Sequence, residues 1–117
     1  MLPLIDTHQH LWDLSRLELP WTGGIPQLNR SFLMSDYLQA LEGQKISKTV
    51  YMEVDVHPDH RQREVEIISE ICSDASNPMQ AAVFCAEPGG VDFEPFLENN
   101  QNNPWIRGLR KVLHNPD

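Results

Sequence analysis

Two histidines near the start of the chain, His8 and His10, are the residues whose type and spacing best suit catalysis. They follow a short apolar run at residues 2–5 that predicts a β-strand. Because side chains two residues apart on a strand point to the same face, both imidazoles should converge at its carboxyl end. Two neutral imidazoles can bind a divalent metal through ring nitrogens or hold a polarised carbonyl oxygen. The alternative is a pair of histidines that only cap the strand through hydrogen bonds to a loop.

A pair of carboxylates, Glu53 and Asp55, is the second candidate for chemistry. The apolar residues that alternate with them are Val50, Met52 and Val54. Those apolar side chains suit a strand face packed on helices, so Glu53 and Asp55 should lie inside the fold or at its mouth. Because a buried carboxylate is costly without a partner, there are two interpretations. The pair binds substrate or handles protons, or it lies on a solvated edge or in an internal ion pair such as Glu53 with Arg110.

Basic and aromatic residues complete the set of candidate substrate-binding side chains. Alternation along the last predicted strand places Arg110 and His114 on one face. A guanidinium suits a substrate carboxylate because it binds it bidentately, and the alternative for Arg110 is a structural pair with Glu53. Trp21 is a candidate for the wall of a pocket, although large aromatic side chains more often serve packing.

Alternating strands and helices are expected to position these side chains. Strands are predicted at residues 2–7, 49–56, 80–85 and 106–113. A first helix should begin with Ser35 as its N-cap and stop at Gly43. A longer helix should follow Asp59, and a short helix is predicted at residues 93–98.

The longer helix is expected to bury one apolar stripe and to expose its charges. The stripe consists of Val65, Ile68, Ile71 and Cys72. The charged residues that should face solvent are Arg61, Arg63, Glu64 and Glu70. This pattern predicts a helix that packs one side onto a sheet.

The order of the predicted elements indicates an α/β fold. Strand–helix alternation is typical of parallel βαβ units, which close into a barrel or form an open sheet. No glycine-rich nucleotide-binding loop follows any predicted strand. A (β/α)8 TIM barrel needs eight units and about 250 residues. Residues 1–117 would therefore form one incomplete domain, the N-terminal half of a barrel with about four units.

Charge and composition narrow the class of protein. Nine Lys and Arg residues against 17 Asp and Glu residues give a net charge of −8, which argues against binding nucleic acid or an anionic membrane by bulk charge. No signal peptide or membrane-spanning segment is expected. Because Cys72 and Cys85 lack metal or redox spacing, we expect reduced, buried thiols in a cytoplasmic protein.

Residues 5–13, Ile-Asp-Thr-His-Gln-His-Leu-Trp-Asp, resemble the opening of the amidohydrolase superfamily. More narrowly, the chain resembles the amidohydrolase-2 group, which contains fuconolactonases and 2-pyrone-4,6-dicarboxylate lactonase. Three further stretches agree with that group: Leu-Pro-Trp at 19–21, Val-Tyr-Met-Glu-Val at 50–54 and Ile-Arg-Gly-Leu-Arg-Lys-Val-Leu at 106–113. The resemblance extends over essentially the whole chain.

The resemblance implies a (β/α)8 barrel hydrolase in which water attacks the carbonyl of a lactone or a related cyclic ester of a sugar acid. It implies that His8 and His10 are catalytic residues. They would hold one divalent metal, zinc or manganese, or contact the substrate directly in a metal-independent site. Glu53 matches a polar, substrate-facing position, and Arg110 matches an arginine that binds a substrate carboxylate or carbonyl.

The resemblance also implies residues that the sequence lacks. The family's site needs a histidine from a later strand and an aspartate after the last strand, which activates water. Because general-base activation is worth about a hundred- to ten-thousand-fold in rate, we expect little or no activity from these 117 residues alone. They would be a truncated reading frame, a fragment or one subunit of a split barrel.

Two other functions stay open. The chain is alternatively a non-catalytic half-barrel that self-associates as a homo-oligomer or binds a partner, because an open parallel sheet exposes its edges. It is alternatively part of a metal-dependent decarboxylase of the same group. In either enzyme reading the ligand is a small lactone or carboxylate.

Overall fold

A four-stranded, fully parallel sheet forms the centre of the structure, a computed structural model that describes residues 2–114. The strands are β1 (Leu4–Gln9), β2 (Ile46–Met52), β3 (Met79–Cys85) and β4 (Ile106–Arg110). The helices are α1 (Met34–Ala40), α2 (Arg61–Ser73) and α3 (Phe93–Asn100), with 3₁₀ turns at Pro20–Gly24 and Pro58–His60. Each strand pairs with the next one along the chain, in the order β1-β2-β3-β4. This arrangement confirms the predicted α/β class, with three βα units followed by a fourth strand within residues 2–114.

The hydrophobic core lies between the sheet and α2. Its largest fully buried apolar side chains are Tyr51, Phe84, Ile68, Met79 and Val65. Complete burial of one such side chain contributes about 1.5–3 kcal/mol, so the predicted stripe of α2 is a main source of stability. Cys72 and Cys85 are buried free thiols, and burial raises the pKa of each to about 11.

Several strand boundaries differ from the predicted ones. β1 extends to Gln9, whereas β2 stops at Met52 and β4 stops at Arg110. The chain leaves the ladder after β2 because Asp55 adopts φ +51°, a left-handed conformation that no strand residue has. Since β4 ends early, His114 lies beyond the strand and the alternation predicted for it does not apply.

The predicted helix caps are also corrected by the structure. Leu33, not Ser35, precedes the first turn of α1. The backbone N–H of Leu33 donates a hydrogen bond to the Asp36 carboxylate at 2.7 Å. Asp59 lies within a 3₁₀ turn, and α2 begins after His60. Both errors arise because several polar residues near a helix start can satisfy its free backbone groups.

The two faces of β2 are the reverse of the predicted ones. Tyr51 is fully buried and its hydroxyl donates to Glu64 of α2 at 2.7 Å, so this side faces the helix. Val50 and Met52 therefore lie on the opposite, partly exposed face. The prediction was wrong because strands in parallel sheets are apolar on both faces, so an apolar stripe does not identify the helix side.

Apolar side chains are exposed along the two outer strands. Within residues 2–114, β1 pairs only with β2 and β4 only with β3, so each has one open edge. The exposed residues are Leu2, Leu4, Ile5, Leu109 and Leu113. In the same part of the chain, no helix is long and apolar enough to cross a membrane.

Candidate active site

The imidazoles of His8 and His10 meet at the carboxyl end of β1. Their Nε2 atoms lie 3.1 Å apart, and the two rings are nearly perpendicular, at 84°. Asp6 supports the strand here, because one carboxylate oxygen accepts from the His8 backbone N–H and the other accepts from the Tyr37 hydroxyl. The structure therefore brings together the pair that the sequence singled out.

The hydrogen bond of His10 assigns its tautomer. Its Nδ1 lies 2.9 Å from the Met52 carbonyl oxygen. A carbonyl only accepts, so Nδ1 carries the proton and Nε2 keeps its lone pair when the ring is neutral. Burial lowers the pKa of His10 below its ordinary value of 6.5, and the charges of His8 and Arg110 act in the same direction. The neutral, metal-binding form of His10 is thus favoured at neutral pH.

The spacing of the two nitrogens fits a shared metal ion. Two zinc–nitrogen bonds of about 2.05 Å at a tetrahedral angle place their nitrogens about 3.3 Å apart. The observed 3.1 Å between the Nε2 atoms of His8 and His10 is close to that value. Among residues 2–114, however, no group of three or more His, Cys, Asp or Glu side chains could hold a metal ion. A metal site at this place would therefore need further ligands beyond the His8 and His10 nitrogens.

Glu53 and Arg110 form a buried ion pair beside the histidines. The Arg110 Nε donates to Glu53 Oε1 at 2.8 Å, and its Nη2 donates to the Glu53 carbonyl oxygen at 2.9 Å. The other carboxylate oxygen accepts from the Asp55 backbone N–H at 2.7 Å. Glu53 is 0% exposed, whereas a third of the Arg110 side chain is exposed. This geometry is the ion-pair alternative that the sequence analysis left open.

The two residues of the buried pair have different roles. Both Glu53 oxygens are engaged within the fold, so the carboxylate holds Arg110 in place. The bonds to Glu53 use Nε and Nη2 of Arg110, so Nη1 is the guanidinium nitrogen that residues 2–114 leave for a ligand. The positive charge of Arg110 is one of the causes that lower the pKa of His10.

The remaining candidates lie at different distances from this centre. The Trp21 indole donates to the Val54 carbonyl at 2.8 Å, which ties the first loop to the end of β2. Asp55 follows in its left-handed conformation, and such strain is typical of functional segments. His114 is exposed beyond β4, where it lines an open surface depression with Arg110. The structure thus places Trp21 and Asp55 near the centre, and His114 on its outer side.

Sequence reasoning missed Glu64, which was predicted to face solvent and is 0% exposed. One of its oxygens accepts from the Tyr51 hydroxyl at 2.7 Å and from the Val54 backbone N–H at 3.3 Å. Helical spacing offered a signal, because Glu64 lies four residues before Ile68 and adjoins the apolar stripe. The prediction instead followed the general rule that charged side chains face solvent.

Comparison with known proteins supports the relationship suggested by the first motif. No family model matches the sequence. The chain is 24% identical to Uncharacterized protein y4mH from Sinorhizobium fredii (strain NBRC 101917 / NGR234), over 97% of this chain and 41% of that protein. It is similar in structure to Amidohydrolase 2 from Bifidobacterium longum subsp. infantis, with a TM-score of 0.62 and 28% identity.

The structural match covers 74% of this chain and 34% of the Bifidobacterium chain. The present chain therefore spans less than half the length of each of these two proteins. The solved neighbour is a TIM-barrel amidohydrolase, so the four parallel strands and their alternating helices correspond to part of such a barrel. The similarity supports a relationship to the amidohydrolase superfamily.

Proposed function

We propose that this chain contributes the strand-one histidines and a substrate-binding arginine to a barrel hydrolase that opens lactones. The substrate would be a lactone or a related cyclic ester of a sugar acid, attacked by water at its carbonyl carbon. The observation that carries the proposal is the convergence of the His8 and His10 Nε2 atoms, 3.1 Å apart at the carboxyl end of β1. In barrel enzymes the active site lies at this end of the strands.

Arg110 is proposed to orient the substrate. Its guanidinium is anchored by Glu53 at 2.8 Å, and a third of the Arg110 side chain is exposed. A guanidinium held in one position loses little further freedom when it binds a carboxylate or carbonyl oxygen. The Glu53–Arg110 pair is therefore a preorganised anchor for a substrate that carries a carboxylate.

His8 and His10 are proposed to act on the reacting carbonyl. The Met52 carbonyl fixes the His10 tautomer, so its Nε2 keeps a lone pair, and this atom lies 3.1 Å from Nε2 of His8. The same two nitrogens would hold a divalent metal such as zinc or manganese, which supplies Lewis-acid polarisation when bound. Without a metal, a His8 N–H would donate directly to the carbonyl oxygen as negative charge develops.

The proposal assigns water activation to a part of the barrel outside these four strands. No side chain among residues 2–114 is assigned the role of general base. A closed barrel needs eight strands, and the sheet has four. We therefore assign the activity to an eight-strand assembly that contains this chain.

Proton release during lactone hydrolysis tests the activity of the protein that contains this chain. His8→Ala and His10→Ala should each lower kcat/KM at least about a hundredfold, the size expected for lost transition-state stabilisation. His57→Ala is the matched control, because His57 lies outside the pair and its Nδ1 accepts from the backbone N–H of Asp59, which its loss leaves to solvent. Equal losses in all three variants, or no turnover of any lactone, would contradict the proposal.

Arg110→Lys tests the orienting role. Lysine keeps the positive charge beside Glu53 but lacks the fork that binds a carboxylate bidentately. We expect a raised KM for lactones that carry a carboxylate and little change for uncharged lactones. If KM changes equally for both classes of lactone, Arg110 has only a structural role.

Self-association is the second candidate function, favoured by the open edges of β1 and β4. Two parallel half-sheets of four strands each supply the eight strands that a closed barrel requires. Exposed strand edges with apolar neighbours are prone to pair with other chains.

A further inference from the structure

A cavity of about 800 Å³ lies on the helix side of the sheet, at the carboxyl end of β3. α2 and α3 form its walls, and the turn that follows β3 forms its rim. Its apolar lining includes Val91, Phe93 and Phe96. This volume is in the range of small-molecule sites, which are mostly apolar with a few polar groups.

Arg61 is the basic residue in the lining of this cavity, and its hydrogen bonding is incomplete. Its side chain is only 18% exposed, and its Nε is buried with no hydrogen-bond partner among the described residues. Its nearest acidic neighbour is Glu87, with Oε2 at 3.7 Å from Nη1, beyond hydrogen-bond distance. The Nε atom is enclosed by the fold, so a ligand in the cavity would meet the terminal guanidinium nitrogens, which are paired with Glu87 only at the longer distance of 3.7 Å.

The rim of the cavity has the opposite charge. Glu87 is half-exposed, and Asp59 and Asp92 also line the opening. The Glu87 position is set by a tight turn, in which the Gly90 N–H donates to the Glu87 carbonyl at 2.9 Å and Gly89 has φ +86°. An exposed acidic rim around a buried arginine disfavours a simple anion and favours a ligand with charges of both signs.

We propose that this cavity binds a free α-amino acid with an apolar side chain. The ligand carboxylate accepts hydrogen bonds from Arg61, and its ammonium group pairs with Glu87. Both ligand groups are attached to one carbon, so they can engage two side chains as close together as these. The apolar side chain packs against Phe93 and Phe96. This site does not depend on the proposed lactonase activity.

Isothermal titration of the chain with phenylalanine tests the proposal. Binding should occur in the millimolar range or tighter. 3-Phenylpropionate, which lacks the ammonium group, and 2-phenylethylamine, which lacks the carboxylate, should each bind at least about tenfold more weakly, because each loses a charge-assisted hydrogen bond. Equal binding of 3-phenylpropionate would overturn the zwitterion site, and no binding of phenylalanine would overturn any amino-acid site.

Variants test which residues hold the ligand. Arg61→Met and Glu87→Gln should each weaken phenylalanine binding at least about tenfold. Arg63→Met is the matched control, since Arg63 is exposed on the same helix and donates to the Arg16 carbonyl instead. Unchanged binding by folded Arg61→Met contradicts the proposal. Should that variant not fold, the comparison of the three ligands on the unmodified chain decides.

Discussion

At the scale of single residues, Glu64 is a carboxyl group enclosed by the core. One oxygen accepts from Tyr51 and Val54, and the other has no hydrogen-bond partner among the described residues. Burial raises the pKa of Glu64 to about 7, although both hydrogen bonds act to lower it. The nearby charges of Glu53 and Arg61 oppose each other, raising and lowering this pKa respectively.

This raised pKa predicts that stability falls as pH rises. The folded state holds the Glu64 proton more tightly than the unfolded state, so its contribution is present below pH 4.5 and is lost as pH rises to about 7. Glu64→Gln should reduce the change in unfolding free energy between these two pH values by up to about 3 kcal/mol. Urea unfolding at both pH values measures this change in unfolding free energy. Glu66→Gln, at an exposed position, is the control. Identical pH profiles for wild type and Glu64→Gln would show that Glu64 does not titrate in this range.

Arg110 gives a second prediction at this scale. Arg110→Met leaves the buried Glu53 carboxylate without its cation, which should cost about 3–5 kcal/mol of unfolding free energy. Adding Glu53→Gln should recover much of that loss, because the uncompensated charge is then removed. Exposed Arg107→Met on the same strand is the control. A double variant as unstable as Arg110→Met would rule out the charge as the cause.

The candidate site was predictable from the sequence in its residues but not in its bonding. The histidine spacing and the strand before it were enough to place His8 and His10 together. The choice between a substrate-binding and an ion-paired Glu53 required the path of β4, because Arg110 lies 57 residues away along the chain. The Met52 carbonyl that fixes His10 is a backbone group, and no side-chain pattern reports it.

At the scale of the elements, local signals predicted the helices better than the strand faces. The apolar stripe of α2 identified the helix because its spacing depends on the helix alone. The faces of β2 depend on which side the helices cover, and that is decided by tertiary packing. The early end of β2 depends on the left-handed Asp55, which an alternating pattern does not reveal.

The turn after α1 gives a prediction at the element scale. Gly43 has φ +85°, and a Cβ at this position would meet no atom within 4 Å. Gly43→Ala should therefore destabilise through backbone strain alone, by about 1–2 kcal/mol. Gly24→Ala, which is equally open but lacks a positive φ, should be close to neutral. Thermal unfolding compares the two, and equal effects would exclude the left-handed backbone as the cause.

At the scale of the whole molecule, four parallel strands leave both ends of the sheet available for pairing. We expect the chain to self-associate, with a mass in sedimentation that rises with concentration. Ile5→Lys on β1 should lower the association, because a charge on an exposed edge opposes pairing. Val91→Lys, at an exposed apolar residue outside the sheet, is the control. A constant monomer mass at all concentrations would exclude self-association.

The tether between Trp21 and Val54 also makes the protein its own optical reporter. The Trp21 ring meets Trp12 edge to face, with centroids 5.6 Å apart, while its indole N–H bonds to the end of β2. Any ligand that shifts the segment after β2 must therefore move the Trp21 indole, which is in contact with the Trp12 indole. Intrinsic fluorescence and near-ultraviolet circular dichroism should therefore register events at the histidine pair without an added label.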